Sequence, residues 1–348
     1  MLGGLDSFHY LCRQQTLQTM NIVELDGYAA NPGDMDWQPW REIETADGSV
    51  CSFTVYDRTP AELVVERAAD ADIIIINKVW ITDGIMEQLP RLRYIGVLAT
   101  GYNVVDMDAA HRRGIVVTNI PAYSTASVAQ MVFAHLLNIT NAVALHSQSV
   151  GKGEWGRCPD FTYTLSPQQE IAGRVLGIIG FGNTGRAVAR IAHAVGMRVL
   201  LAPSLREAGS VRKNLPAYAE QAETLEQFFA TADIVSLHCP LTDATRHIIN
   251  AGTLSMMKPE AIVINTGRGP LVDERALAEA LNSGRIAAAG LDVMEEEPPV
   301  NGSPLLTARN CYITPHIAWA TLEARKRLME IAINNVKAFL RGEPVNVV

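Results

Sequence analysis

The chain is short of cysteine, and what it has forms no pattern. Five occur in 348 residues (Cys12, Cys51, Cys158, Cys239 and Cys311), odd in number, scattered and without a C-x-x-C pair. That excludes a disulfide framework or a thiolate zinc site and points to reduced thiols in a cytoplasmic setting. No set of His, Cys, Asp and Glu has metal-ligand spacing, so no metal is expected. Positive charge is also scarce. There are 29 Lys and Arg against 37 Asp and Glu, a formal net charge of −8, and no basic cluster. Nucleic acid is therefore excluded as the main partner. A long uninterrupted apolar run is missing too: the best stretch, 126–145, is broken by Gln130, His135, Asn138 and Asn141, so no membrane span is expected. The N-terminus has neither a basic n-region nor a clean apolar h-region and does not read as a signal peptide. Residues 1–19 read as a loose extension ahead of a first strand.

What the chain has is apolar material, 48% of its residues, and a rhythm. Short apolar runs alternate with helical spacing. Strands are predicted at 22–25, 49–56, 73–76 (four isoleucines), 95–99 and 115–118. A second series of strands is predicted at 175–179, 198–202, 234–238, 261–265, 287–291 and 312–314. Helices are expected at 61–69, 85–89, 108–113, 224–230, 253–257, 274–283 and 322–340, and a single long one from Ser124 to Gly151. Residues 31–40, with two prolines and two tryptophans, read as loop. Alternation of this kind predicts parallel sheets with right-handed crossovers.

Between the first two strands of the second series stands Gly180-Phe181-Gly182-Asn183-Thr184-Gly185, a G-x-G-x-x-G element entering a helix that Gly196 can terminate. Gly180 allows the tight turn, Gly182 lets backbone approach a pyrophosphate, and Gly185 lets helix and strand pack closely. The helix N-terminus offers N–H groups and a positive dipole end to phosphates. The strand-turn-helix context makes this a dinucleotide site. Polar residues gather at the carboxyl ends of the predicted strands, Asn77, Lys78, Thr100, His238, Arg268, Asp292 and His316 among them. That edge is where ligands sit in open α/β sheets, and two such edges imply an interdomain cleft.

Three further segments, INTGRGPLVDE (264–274), GLDVMEEEPP (290–299) and ITPHIAWAT (313–321), together with the glycine element, resemble the D-isomer-specific 2-hydroxyacid dehydrogenase family over nearly the whole chain from Met20. The resemblance implies an α/β fold of two doubly wound parallel-sheet domains. A Rossmann coenzyme domain (122–316) would be inserted into a discontinuous flavodoxin-like substrate domain (20–121 and 317–348). It also implies roles for particular residues. Arg268 is similar to the arginine that holds the substrate carboxylate and 2-oxo group, a task for which a planar guanidinium fork is suited. His316 looks like the acid/base, and an imidazole serves both roles near neutral pH. Glu297 looks like the carboxylate that orients that imidazole and stabilises its charged form. Asp292 resembles the residue bonding the nicotinamide carboxamide. Asn183, Thr184, Cys239, Thr266 and Gly267 fall at coenzyme-lining positions. Thr100-Gly101-Tyr102 matches a carboxylate-receiving loop, with Lys78 and Trp319 as further substrate contacts. Glu295 and Glu296 read as solvated, Met256-Met257 as core, and His111, His135, His146, His193 and His247 receive no role.

The pattern is broken at one place. Many NAD-dependent members end the second Rossmann strand with an acid that bonds the ribose 2′-hydroxyl; here Pro203 aligns there, followed by Ser204 and Arg206. The acid that would repel a 2′-phosphate is absent and Arg206 can meet one, so the coenzyme is NAD(H) or NADP(H) with weak discrimination. Trp319, Asn77-Lys78 and the 158–161 loop most resemble the glycerate dehydrogenase/hydroxypyruvate reductase branch, whose substrates are small 2-oxo acids. Phosphoglycerate- and D-lactate-type enzymes are the alternatives within the family. No regulatory domain follows Val348, which speaks against the first. The formate branch pairs its histidine with Gln, and here Glu297 stands. A non-catalytic, NAD-sensing corepressor-like protein is the alternative outside catalysis. The apolar 124–151 helix, with the resemblance, implies a homodimer.

Overall fold

Four consecutive isoleucines can all be buried only in a strand covered on both faces. In the computed structural model, which describes residues 19–204 and 214–348, Ile73–Ile76 is such a strand, every residue buried. The strands around it are β1 (Asn21–Glu24), β2 (Ser52–Val55), β3 (Ile73–Ile76), β4 (Tyr94–Val97) and β5 (Val116–Thr118). They form a parallel sheet in the order β2-β1-β3-β4-β5, with Ile22 opposite Ile73 and Ile74 opposite Ile95. Four short helices connect them: α1 (Gln38–Arg41), α2 (Val64–Ala68), α3 (Asp83–Glu87) and α4 (Met107–Arg113). The last is bounded as its sequence dictates, by the Asp106 carboxylate accepting from the Ala109 N–H and by Gly114 at φ +67°. This unit takes the chain up to Tyr123 and then Arg325–Val348, most of the final helix Leu322–Leu340 included.

The second unit, Ser124–Ala324, begins with α5 (Thr125–Asn141) and α6 (Val143–Gly151). Seven strands follow: β6 (Val175–Ile179), β7 (Arg198–Leu201), β8 (Ala219–Gln221), β9 (Ile234–Leu237), β10 (Ile262–Asn265), β11 (Ala288–Leu291) and β12 (Cys311–Ile313). Their order is β12-β11-β10-β9-β6-β7-β8, all parallel. The helices between them are α7 (Asn183–Ala194), α8 (Leu225–Thr231), α9 (Ala251–Met256) and α10 (Glu274–Asn282). The fold class is that expected: two doubly wound α/β sheets. Strand order reverses between β1 and β3 in one sheet and between β6 and β9 in the other, the two places where loops diverge and a ligand can enter.

Four expectations about elements are corrected. The single helix 124–151 is two helices, bent by 55° at Ala142, whose φ is +44°. The run Asn138-Ile139-Thr140-Asn141 explains the break: weak helix formers, with the Thr140 hydroxyl bonded back to the Leu136 carbonyl at 3.0 Å. Within its unit α5 is a core helix. Ala129, Val132, Phe133 and Leu136 pack with Leu176, Ile178, Ile262 and Ala288. The loop at 31–40 contains the short helix α1. The strand β8 was unread because only Ala219 of its three residues is buried. Met257 is core, but Met256 is exposed. Among the described residues no single helix is long and apolar enough to cross a membrane.

At the carboxyl end of β1, Glu24 is completely buried and, among the described residues, its Oε2 has no partner. Burial, reinforced by the nearby Asp26 charge, holds its carboxyl well above the ordinary glutamate range. The folded state therefore keeps a proton that the unfolded chain releases. Stability from this group is full below the unfolded value near pH 4.5 and falls as pH rises toward the folded value, by about 1.4 kcal/mol per pH unit while the two states differ by one proton. Glu24→Gln should remove that slope. In urea unfolding between pH 5 and 8, the stability of the variant relative to wild type should increase with pH, and a constant difference would refute the assignment.

Candidate active site

The second sheet's reversal point is crowded in a way that explains its glycines. Gly180 leaves β6 at φ +95°, and a Cβ there would stand 2.4 Å from the backbone of His238 and Cys239 at the end of β9. A Cβ on Gly185 would stand 2.2 Å from the Gly180 carbonyl oxygen. On Gly182 it would meet nothing within 4 Å among the described residues: toward them, one face of the turn is open. α7 begins at this residue with no side-chain cap and no acid in its first turn, so its leading N–H groups and dipole end are unneutralised. Asn183 and Thr184 occupy that first turn.

The neighbouring strand ends complete the rim. Cys239 is buried, and burial pushes its thiol up to about 11, which makes it a lining group and not a nucleophile. His238 is driven down to about 4 by burial and its Nε2 lies 2.8 Å from the Ser236 hydroxyl; it is a neutral structural imidazole. At the end of β10, Thr266 is buried and its Oγ1 has no partner among the described residues. An open glycine face, an uncapped helix N-terminus and an orphaned buried hydroxyl are what a dinucleotide would satisfy. The residues fit one. Pro203 and Ser204 follow β7, with no acid on the described part of that strand end. Arg206 lies outside the described residues.

Arg268 is presented by a built turn. Buried Asn265 donates through Nδ2 to the Arg268 carbonyl at 2.8 Å and accepts from the Gly267 N–H at 3.0 Å. Next to it, a Cβ on Gly269 would fall 1.8 Å from the Met294 carbonyl oxygen, so the Arg268 turn presses against the backbone that leads to Glu297. The guanidinium itself is exposed and, among the described residues, donates to the Gly267 carbonyl at 2.8 Å. Glu297 accepts from the Met294 N–H at 2.9 Å through Oε1 and lies 2.6 Å from His316 Nδ1 through Oε2. That contact commits Nδ1–H to the carboxylate and leaves Nε2 to exchange a proton. Among the described residues Nε2 has no protein partner. His316 is held at φ +53°, a left-handed conformation that costs about 1–3 kcal/mol for a non-glycine and persists only where its surroundings enforce it. Asp292 does the enforcing: Oδ1 accepts from the Thr314 hydroxyl (2.6 Å) and the Ile317 N–H (2.9 Å), and Oδ2 from the Ala318 N–H (2.8 Å). Trp319, half-buried, follows in the same loop.

In the first unit, Asp26 bridges the reversal point. Its carboxylate accepts from the N–H groups of Asn77 (2.7 Å), Lys78 (2.6 Å) and Val79 (3.2 Å), which fixes the loop carrying Lys78. Asn77 in turn donates to the Leu98 carbonyl at 3.0 Å, tying that loop to the one holding Thr100, Gly101 and Tyr102. Thr100 is anchored by its hydroxyl on the Ile120 carbonyl at 2.9 Å. Among the described residues the Gly101 and Tyr102 N–H groups enter no backbone hydrogen bond.

Several supporting residues escaped the sequence reading. Asp26, just after a strand, and Asn265, at the end of one, were visible as Asx residues, the usual turn formers; Thr314 stood in a recognised segment but without a sign of its partners. Glu295 and Glu296 are exposed, as expected, and each also has a surface partner. Glu295 pairs with Arg246 at 2.6 Å and faces His247 at 3.4 Å, and Glu296 accepts from Asn301. Of the histidines without a role, His193 stacks on Tyr218 and His146 receives the Leu165 N–H. Among the described residues no three His, Cys, Asp or Glu gather as metal ligands.

Residues 133–318 match the family described as D-isomer specific 2-hydroxyacid dehydrogenase, NAD binding domain. The chain is 46% identical over 332 residues to a hydroxypyruvate reductase of Blautia hydrogenotrophica, covering 94% of this chain and 99% of the relative. It is 41% identical to a glycerate dehydrogenase of Methylorubrum extorquens, covering 83% and 89%. Among solved structures, an NADPH-dependent glyoxylate/hydroxypyruvate reductase from Sinorhizobium meliloti in complex with NADP and malonate superposes with a TM-score of 0.76 at 30% identity, over 94% of this chain and 96% of that one.

The glycines separate stability from binding. Gly182→Ala should leave the unfolding midpoint within the roughly ±0.5 kcal/mol usual for an uncrowded site and weaken NADH and NADPH binding about tenfold in a fluorescence titration. Gly180→Ala should destabilise the fold itself. Wild-type coenzyme affinity in Gly182→Ala would sink the cradle.

Proposed function

This chain belongs to the D-isomer-specific 2-hydroxyacid dehydrogenase family, and we propose that it interconverts hydroxypyruvate or glyoxylate with D-glycerate or glycolate, using NAD(H) or NADP(H). The observation that carries the reading is the His316–Glu297 pair, 2.6 Å apart, with Nε2 uncommitted and Arg268 on the adjoining turn. The names of the relatives, hydroxypyruvate reductase and glycerate dehydrogenase, support the substrate class.

The bound dinucleotide supplies the hydride. The protein supplies position and a proton. Exposed Arg268 offers its fork to the carboxylate and 2-oxo oxygen of the substrate. His316 Nε2–H gives its proton to that oxygen and recovers it in the reverse direction. Glu297 holds the ring through Nδ1 and stabilises the imidazolium. The Gly101 and Tyr102 amides receive the carboxylate, with Lys78 and Trp319 as further contacts. Thr266 Oγ1, Gly267 and Asp292, three of whose roughly four acceptor positions are already used, line the coenzyme, as do Asn183, Thr184, Cys239 and Ser204. Arg206 tempers the choice between NAD and NADP. The first unit is accordingly the substrate domain and the second the coenzyme domain.

A homodimer in the cytoplasm completes the proposal. Its support is an apolar surface on the second unit, where Leu137, Val143, Leu145, Val150, Trp155 and Phe161 are exposed, Phe161 by 90%, more than single scattered apolar residues explain.

Two measurements test these statements. Coenzyme oxidation at 340 nm with a panel of 2-oxo acids should show turnover of hydroxypyruvate or glyoxylate. His316→Ala should cut kcat by about 10²–10⁴-fold and leave coenzyme affinity within about threefold. Unchanged turnover would refute the role. Separately, light scattering should give twice the chain mass, and Val143→Asp with Phe161→Asp should halve it; a monomeric wild type would end the dimer proposal.

A further inference from the structure

His316 reaches its geometry through a chain of buried groups that begins on a different element. On α5, His135 is 4% exposed, and its Nε2 lies 3.1 Å from the Thr314 hydroxyl. That hydroxyl lies 2.6 Å from Asp292 Oδ1, and the Asp292 carboxylate holds the Ile317 and Ala318 N–H groups directly after His316. Thr314 has one hydrogen to give. The carboxylate at 2.6 Å takes it, so the hydroxyl can only accept from the imidazole, and His135 must be the Nε2–H tautomer. Burial lowers the basicity of His135, with the Asp292 charge opposing in part, which suits a neutral imidazole acting as a fixed donor.

The sheet makes room for this ring. A Cβ on Gly290, in the middle of β11, would stand 2.7 Å from His135 Cβ and 3.1 Å from its Nδ1. A strand-interior glycine weakens a strand, and this one is where the imidazole passes. An aliphatic side chain would fill the site on an otherwise apolar helix face, where Val132, Phe133 and Leu136 are its neighbours in sequence. A polar ring placed there needs its partner, and the partner leads to the reacting group.

We infer that His135 is a positioning residue for His316, acting through Thr314 and Asp292 to hold the 314–318 loop in the left-handed turn that presents Nε2. It does not touch substrate or coenzyme. The inference rests on His316 being the acid–base group proposed above. His135 sets the direction of the Thr314 hydroxyl; that hydroxyl completes the donor set of Asp292; and Asp292 locks the two amides that follow His316. Losing the first link frees the hydroxyl to turn and leaves the carboxylate one donor short, so the loop carrying the proton donor loosens while the coenzyme cradle at 180–185 is untouched.

The test combines variants with a readout that needs no turnover. His135→Leu should lower kcat about tenfold, a loss of alignment of the kind that misplaced catalytic groups show, with the coenzyme dissociation constant within twofold of wild type. His135→Gln, whose amide nitrogen can replace Nε2–H, should recover kcat to within threefold. Thr314→Val should reproduce the loss, and the double variant should lose no more than either alone, because both break one chain. Wild-type kcat in both His135→Leu and Thr314→Val, or losses that multiply in the double variant, would overturn the inference. Independently of activity, nitrogen-15 NMR of the full-length protein should show His135 protonated at Nε2. The downfield Nδ1–H resonance of the His316–Glu297 bond should be lost or shifted in His135→Leu and retained in His135→Gln. An Nδ1-protonated His135, or a His316 resonance indifferent to both variants, would overturn it. A wild type that reduces no 2-oxo acid would overturn the proposed function alone, since the resonances still decide the positioning role.

Discussion

The carboxylate of Asp292 is 1% exposed, and a carboxylate removed from water is costly unless donors replace its hydration. Three donors do so, and they come from the residues on either side of His316: the Thr314 hydroxyl before it and the Ile317 and Ala318 amides after it. Hydrogen bonds to a charged acceptor are worth about 1.5–3 kcal/mol each, enough together to outweigh the left-handed backbone at His316. The exchange is reciprocal. The loop satisfies the buried charge, and the charge holds the loop in a conformation it would not adopt alone. The position of the His316 imidazole is thus a consequence of burying an acid at the end of β11.

The first sheet is organised by the same device. Asp26, at the end of β1, accepts three successive amides, Asn77 to Val79, across the point where strand order reverses. At the corresponding point of the second sheet, between β6 and β9, the residue leaving the strand is Gly180, which has no side chain. Gly180 lies so close to His238 and Cys239 that a Cβ would overlap their backbone. The difference follows from what each turn carries. In the first, a loop must be held up by donors on its own backbone. In the second, the chain must pass tightly into α7 so that the open face of Gly182 and the uncapped helix end are exposed to an anionic ligand.

Much of this was legible in the residues. Parallel strands announce themselves as short apolar runs, and the length and β-branched content of Ile73–Ile76 and Val175–Ile179 favour a strand over a buried helix. The glycine element was readable because each glycine answers a steric demand at a fixed offset. Arg268, Glu297 and His316 were recognisable from segments whose order resembles a family, but not from their surroundings. What stayed hidden depends on contacts between residues distant in sequence. His135 and Thr314 are 179 positions apart; Thr314 stands beside His316 in a recognisable segment, but nothing in that segment points to His135. The break at Ala142 was hidden for a different reason: the apolar spacing continues through it, and only the weak helix formers at 138–141 hint at the bend. The run Glu295–Glu297 looks uniform in the sequence, yet the first is paired with Arg246, the second with Asn301 and the third with His316.

Two imidazoles stand at carboxyl ends of the second sheet, and their environments assign them opposite tasks. His238 is half-buried, bonded to Ser236 and pushed down to about 4 by burial, which disfavours its charged form near neutral pH. His316 is half-exposed, carries a carboxylate on Nδ1, and leaves Nε2 open. The two imidazoles thus differ in what they offer a ligand: among the described residues the second pairs one nitrogen with a carboxylate and leaves the other uncommitted. The pairing that makes this possible is itself anchored. Glu297 is tied to the Met294 amide, and Glu295 to Arg246 and to His247, while Gly269 lets the Arg268 turn lie directly on the same backbone. The carboxylate bonded to His316 and the guanidinium on the adjoining turn therefore share one short segment, so displacing 294–297 would move both together.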